Sequence, residues 1–125
     1  MNERFHAARV GQGMCVVTGE REAHAHTAED LRGALSAAVA GGCRRVLVDL
    51  QDSDHVDPLV LGAILGSQRR LARFEGEMAV CCANVGGYAD LERAAIPRLM
   101  TAFEDRQEAF EWLGVSVKEI DGASR

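Results

Sequence analysis

The sequence predicts one α/β domain: a mixed, mostly parallel β-sheet of about five strands flanked by about four helices. Two short apolar runs, residues 45–50 and 78–83, read as strands covered on both faces. Segments with apolar residues at helical spacing separate the strands. Strand-helix alternation of this kind requires crossover connections, which build parallel sheet. At 125 residues with 47% hydrophobic content, the chain has room for one sizeable core and one domain.

Residues 5–10 and 14–18 are strand-like and joined by Gly11-Gln12-Gly13, which predicts an antiparallel hairpin. Thr27 with Asp30 three residues on reads as a capping box, opening a helix with Leu31, Ala34, Leu35, Ala38 and Val39 on one face until Gly41-Gly42. Strand 45–50 follows, then a polar loop over 51–56. Asp57-Pro58 pairs an N-cap acceptor with a residue suited to the first helical position, so a second helix starts there. Val60, Ile64, Leu71 and Phe74 carry it to about Glu75, with Gly76 as its stop.

After strand 78–83, Asn84-Val85-Gly86-Gly87 reads as a turn, residues 88–96 as a short helix ended by Pro97, and 98–103 as the last strand. Asp105 with Glu108 caps a final helix that carries Ala109, Phe110, Trp112 and Leu113 to Gly114. The domain is therefore placed at residues 1–114, and 115–125 is expected to be a disordered tail.

Fourteen basic against 19 acidic residues leave a net charge of −5, with the basic ones scattered in short pairs; no nucleic-acid footprint is expected. The longest apolar run, 58–65, falls well short of the roughly 18 residues of a membrane span, and the N-terminus lacks a signal peptide's apolar stretch. A cytoplasmic protein is expected. Cys15, Cys43, Cys81 and Cys82 have no zinc spacing and sit mostly in apolar runs, so neither a disulfide framework nor a metal site is expected. Cys43, beside Arg44 and Arg45, is the most reactive candidate among them. No phosphate-binding loop, dinucleotide fingerprint, nucleophile elbow or zinc-protease helix occurs, so no enzyme and no cofactor are expected.

The order and spacing of several segments resemble the STAS domain, the family of anti-sigma factor antagonists, stressosome scaffold subunits and cytoplasmic tails of anion transporters. The carriers are Gly19-Glu20, the helix with Leu31 and Leu35, the strand Val46-Leu47-Val48-Asp49-Leu50, the segment Val56-Asp57-Pro58-Leu59-Val60-Leu61-Gly62 and the closing stretch 99–113. Family members typically read Asp, Ser, Ser or Thr, Gly, Leu, Gly in that segment. Asp57, Leu61 and Gly62 fit, and the family's phosphoacceptor falls on Leu59. The resemblance implies a non-catalytic module that docks an anti-sigma factor or a similar regulatory protein at the start of the second helix. Serine phosphorylation switches such docking off in the family, and leucine cannot carry that switch.

On this reading the partner-binding candidates are Glu22, His24, Ser53, His55, Asp57, Pro58, Leu59 and Val60. Leu59 and Val60 are both read as contact area, and whether one of them instead turns inward to fill the domain's own core is left open by the sequence. Ser53, in the acidic loop, is a candidate replacement phosphoacceptor, and Ser67, mid-helix, a less accessible one. His24, His26 and His55, and the carboxylates Glu20, Glu22, Asp52, Asp54 and Asp57, are read as solvated loop groups and not as metal ligands. A scaffold or transporter-accessory subunit and a small-ligand sensor are the alternative functions, and a homodimer is compatible with the sequence.

Overall fold

The computed structural model describes residues 5–19 and 27–114. Its order is β1 (Phe5–Gly11), β2 (Met14–Gly19), α1 (Ala28–Ala40), β3 (Arg45–Asp49), α2 (Pro58–Ala72), β4 (Glu77–Cys81), α3 (Val85–Arg93), α4 (Ile96–Leu99), β5 (Thr101–Phe103) and α5 (Arg106–Leu113). The five strands form one sheet in the order β1-β2-β3-β4-β5. β1 and β2 are antiparallel, and every later pairing is parallel, with Val17 opposite Val48 and Val48 opposite Val80. This is the predicted mixed sheet, with a fifth, short helix added.

Alternation along the strands divides the core in two. Val17, Val46, Val48, Met78 and Val80 face α1 and α2, where Leu31, Leu35, Ile64 and Leu71 meet them. Val16, Leu47, Ala79 and Cys81 face α5 with Ala109, Phe110 and Leu113. The central strands are covered on both sides, which explains why β3 reads as a continuous apolar run. Asp49 ends that run fully buried; it accepts from Arg106 Nε at 2.7 Å and from the Gln51 N–H at 3.0 Å, tying α5 to the top of β3.

Five local expectations are corrected. Thr27 precedes α1 but makes no side-chain cap bond, because its backbone is already helical (φ −95°, ψ −4°) and an N-cap oxygen reaches back only from an extended backbone. α2 stops at Ala72, not Glu75, so Phe74 lies past the helix and is 52% exposed. Glu75 takes the left-handed conformation (φ 61°), and Gly76 serves close approach instead: a Cβ there would lie 2.7 Å from the Arg44 carbonyl oxygen. α3 begins at Val85, with Asn84 as its cap, so Gly86 and Gly87 are helical. A side chain at Gly87 would overlap the Ser53 carbonyl oxygen, and that contact, not a turn, requires the glycine. Left-handed Ala95 (φ 60°) ends the helix; Pro97 then falls inside α4, which delays β5 to Thr101.

The fifth correction concerns the cysteines. Cys15 and Cys43 are joined by a disulfide, with Cα atoms 6.0 Å apart, and both are buried. They are 28 residues apart in sequence, and it is the parallel pairing of β2 with β3 that juxtaposes them. The bond removes Cys43 as a reactive thiol. The expected tail, 115–125, and the first loop's Glu22, His24 and His26 lie outside the described residues.

Candidate functional site

The helix start at α2 is assembled as the sequence predicts. Asp57 is extended (φ −65°, ψ 144°), and its carboxylate accepts the Leu59 N–H at 2.8 Å. Its carbonyl accepts the N–H groups of Val60 and Leu61 at 2.9 and 3.0 Å, while Pro58, lacking an N–H, occupies the first helical position. The open choice between the two apolar residues is resolved by helical phase. Val60 is fully buried beneath α2 and is corrected from a partner contact to a core residue, whereas Leu59 is 57% exposed.

Ser53 is corrected in the same way. It is 1% exposed and its hydroxyl donates to the Leu50 carbonyl at 2.8 Å, so it offers a kinase or a partner no surface. Asp52, Asp54, His55 and Pro58 are exposed around it, and Asp57 is half-buried. Ser67 is buried in α2.

Asp90, on α3, was not legible as a site residue. One of its oxygens accepts the Val56 N–H at 2.8 Å and lies 3.6 Å from His55 Nδ1; the other accepts from Arg93. The Val56 N–H, chiefly, then Arg93 and His55, hold its carboxyl below the ordinary carboxylate value against the opposing effect of burial. Asp90 thus clamps the loop before α2 to α3. Its sequence neighbours are ordinary helix residues, and only the fold brings it to Val56, 34 positions away.

Between the start of α2 and the end of α3 lies a groove of about 520 Å³, lined by Val56, Pro58, Leu61 and Ala94 with His55, Asp57, Asp90 and Arg93 at its polar edge. Val85, 85% exposed at the start of α3, adds apolar surface at the same end of the sheet as Leu59. Outward along α2, Leu59 is followed by Gly62 and Gly66; a Cβ at either glycine would touch nothing within 4 Å. The helix therefore presents a smooth, side-chain-free surface running back from Leu59.

The buried thiols have little chemistry to offer. Burial, chiefly, and Asp49 push the Cys81 thiol up to about 12, and burial raises Cys82, whose S–H donates to the Ser53 carbonyl. The two point to opposite faces of the sheet, into the two separate cores. Among the described residues no group of three His, Cys, Asp or Glu side chains is placed to hold a metal ion, and no helix is long and apolar enough to cross a membrane.

With this geometry in place, the likeness to known proteins is specific. The STAS domain profile matches residues 7–109. A protein of Paenibacillus polymyxa named anti-sigma F factor antagonist is 26% identical over 105 residues, covering 83% of this chain and 90% of its own. The crystal structure of an anti-sigma factor antagonist from Mycobacterium paratuberculosis superposes with a TM-score of 0.74 at 16% identity, covering 92% of this chain and 98% of that one. The anti-sigma factor antagonist SpoIIAA in its unphosphorylated form gives 0.73 at 18% identity, covering 89% and 97%. The chain belongs to the STAS domain family.

Proposed function

We propose that this protein is a non-catalytic, cytoplasmic regulator that binds an anti-sigma factor through the start of α2 and the groove beside it, without the serine phosphorylation switch. The observation that carries the reading is Leu59. It stands 57% exposed at the second position of α2, its own N–H held by the Asp57 cap, where the resemblance sets the family's phosphoacceptor. A large apolar side chain held outward on a capped helix is a contact residue: fully buried against a partner it contributes about 1.5 to 3 kcal/mol. Pro58 adds apolar area beside it, His55 and Asp57 supply the polar edge, and Gly62 and Gly66 let a partner's backbone approach α2 closely. The relatives named as anti-sigma factor antagonists support the partner class.

The test is calorimetric titration of this chain with kinase-type anti-sigma factors from its own genome. Wild-type protein is expected to bind at least one of them, and Leu59→Glu to weaken that binding tenfold or more, about 1.4 kcal/mol. Thermal melting of the variant should match wild type, because the side chain makes no core contact. Unchanged affinity in Leu59→Glu removes the α2 start from the interface. Absence of binding to every such factor removes the antagonist reading.

A further inference from the structure

The two ends of α2 carry opposite charge around an exposed apolar residue. At its start, Leu59 follows the Asp57 cap, and the loop that leads into the helix carries exposed Asp52 and Asp54. At its end, the exposed ring of Phe74 carries the Arg44 guanidinium 4.6 Å from its centroid, beside exposed Arg69, Arg70 and Arg73. Arg70 donates to Ser36 Oγ at 2.9 Å, and among the described residues no carboxylate pairs with Arg69 or Arg73. Exposed Glu75 is the foot's nearest acidic residue in sequence, and Glu77 is taken up by Arg45 at 3.3 Å. The foot is positive although the chain as a whole carries −5. An apolar centre within a charged rim is the anatomy of a protein interface, and complementary rims set its register.

We propose that copies of this chain associate head to tail, the basic, Phe74-centred foot of one seated on the acidic, Leu59-centred rim of the next. Both surfaces lie on every copy, about 22 Å apart along the fifteen residues of α2. The foot and the rim of one copy engage different neighbours, so the contact is heterologous and association continues past a dimer. Each contact covers one rim, the same surface assigned above to the anti-sigma factor, and self-association therefore withdraws docking sites. The association itself does not depend on that assignment and is measured with this chain alone.

Sedimentation equilibrium decides the matter. In about 20 mM salt, at concentrations up to about 1 mM, the weight-average mass of the wild type is expected to rise past twice the 13.5 kDa of one chain and to fall back to it in about 0.5 M salt. The double variants Arg69→Glu/Arg73→Glu and Asp52→Asn/Asp54→Asn, all exposed positions, should keep wild-type circular dichroism and each remain monomeric alone. Mixed one to one, they retain a single compatible foot and rim between them and should form a dimer that grows no further. A wild type that stays monomeric in low salt overturns the proposal. So does a variant that still self-associates alone, or a mixture that stays monomeric.

Discussion

The Asp57 carboxylate holds the Leu59 N–H at 2.8 Å, so the residue that caps α2 also fixes the backbone of the residue it displays. Removing the oxygen leaves that donor to water and loosens the first turn. Asp57→Ala is expected to cost about 1 kcal/mol, read as a lower urea midpoint with an unchanged slope. A changed slope would mean that the loop before α2, and not only its cap, depends on Asp57.

Leu59 is 57% exposed in the first turn of α2, at the position where the resemblance sets the family's phosphoacceptor. An outward side chain in a first helical turn is accessible, and the helix dipole favours added negative charge there. Incubated with a cognate anti-sigma kinase and ATP, Leu59→Ser should gain one phosphate by intact mass and wild type none. Phosphate on wild-type protein would show that another hydroxyl serves, and Ser53 and Ser67, both buried, are poor candidates.

Gly66 sits mid-helix on the solvent face, where an added Cβ meets nothing. Glycine there costs the free protein about 1 kcal/mol relative to alanine, so Gly66→Ala should raise the melting temperature. Gly87→Ala should do the reverse, since its Cβ would strike the Ser53 carbonyl. If Gly66→Ala stabilises the protein and weakens partner binding, close approach along α2 is the reason for the glycine.

Asp90 makes stability depend on acidity in a defined direction. Its folded value is lowered, chiefly by the Val56 N–H, so the ionised form favours the native state. That contribution is complete above the ordinary carboxylate value of 3.8 and is lost as pH falls through the lower folded value. In Asp90→Asn, urea midpoints measured between about pH 5 and pH 2 should fall less steeply than in wild type. An identical acid limb would assign the dependence to other carboxylates.

The helix start was legible because its signals are local: an acceptor, a proline and an apolar residue in consecutive positions specify one cap geometry. The same is true of the β1–β2 hairpin and of Asp105 before α5, whose carboxylate accepts the Gln107 N–H at 2.8 Å. The α3 boundary was misread because Gly86 and Gly87 look like a turn in isolation. In the fold Gly86 packs against the Asp54 carbonyl and Gly87 against the Ser53 carbonyl, more than thirty positions away, and no local window contains these contacts.

By itself, the sequence determined the α/β class, the alternation of elements, the absence of a hydroxyl at position 59 and the capped start of α2. These follow from periodicity and from contacts within a few residues. Tertiary structure alone decided that Leu59 faces out and Val60 in, that Ser53 is sealed, that Asp90 clamps Val56, that Cys15 meets Cys43 and that Arg44 joins Phe74 at the end of α2. Each of these depends on which surfaces the sheet brings together, and burial and pairing across tens of residues are properties of the packed chain.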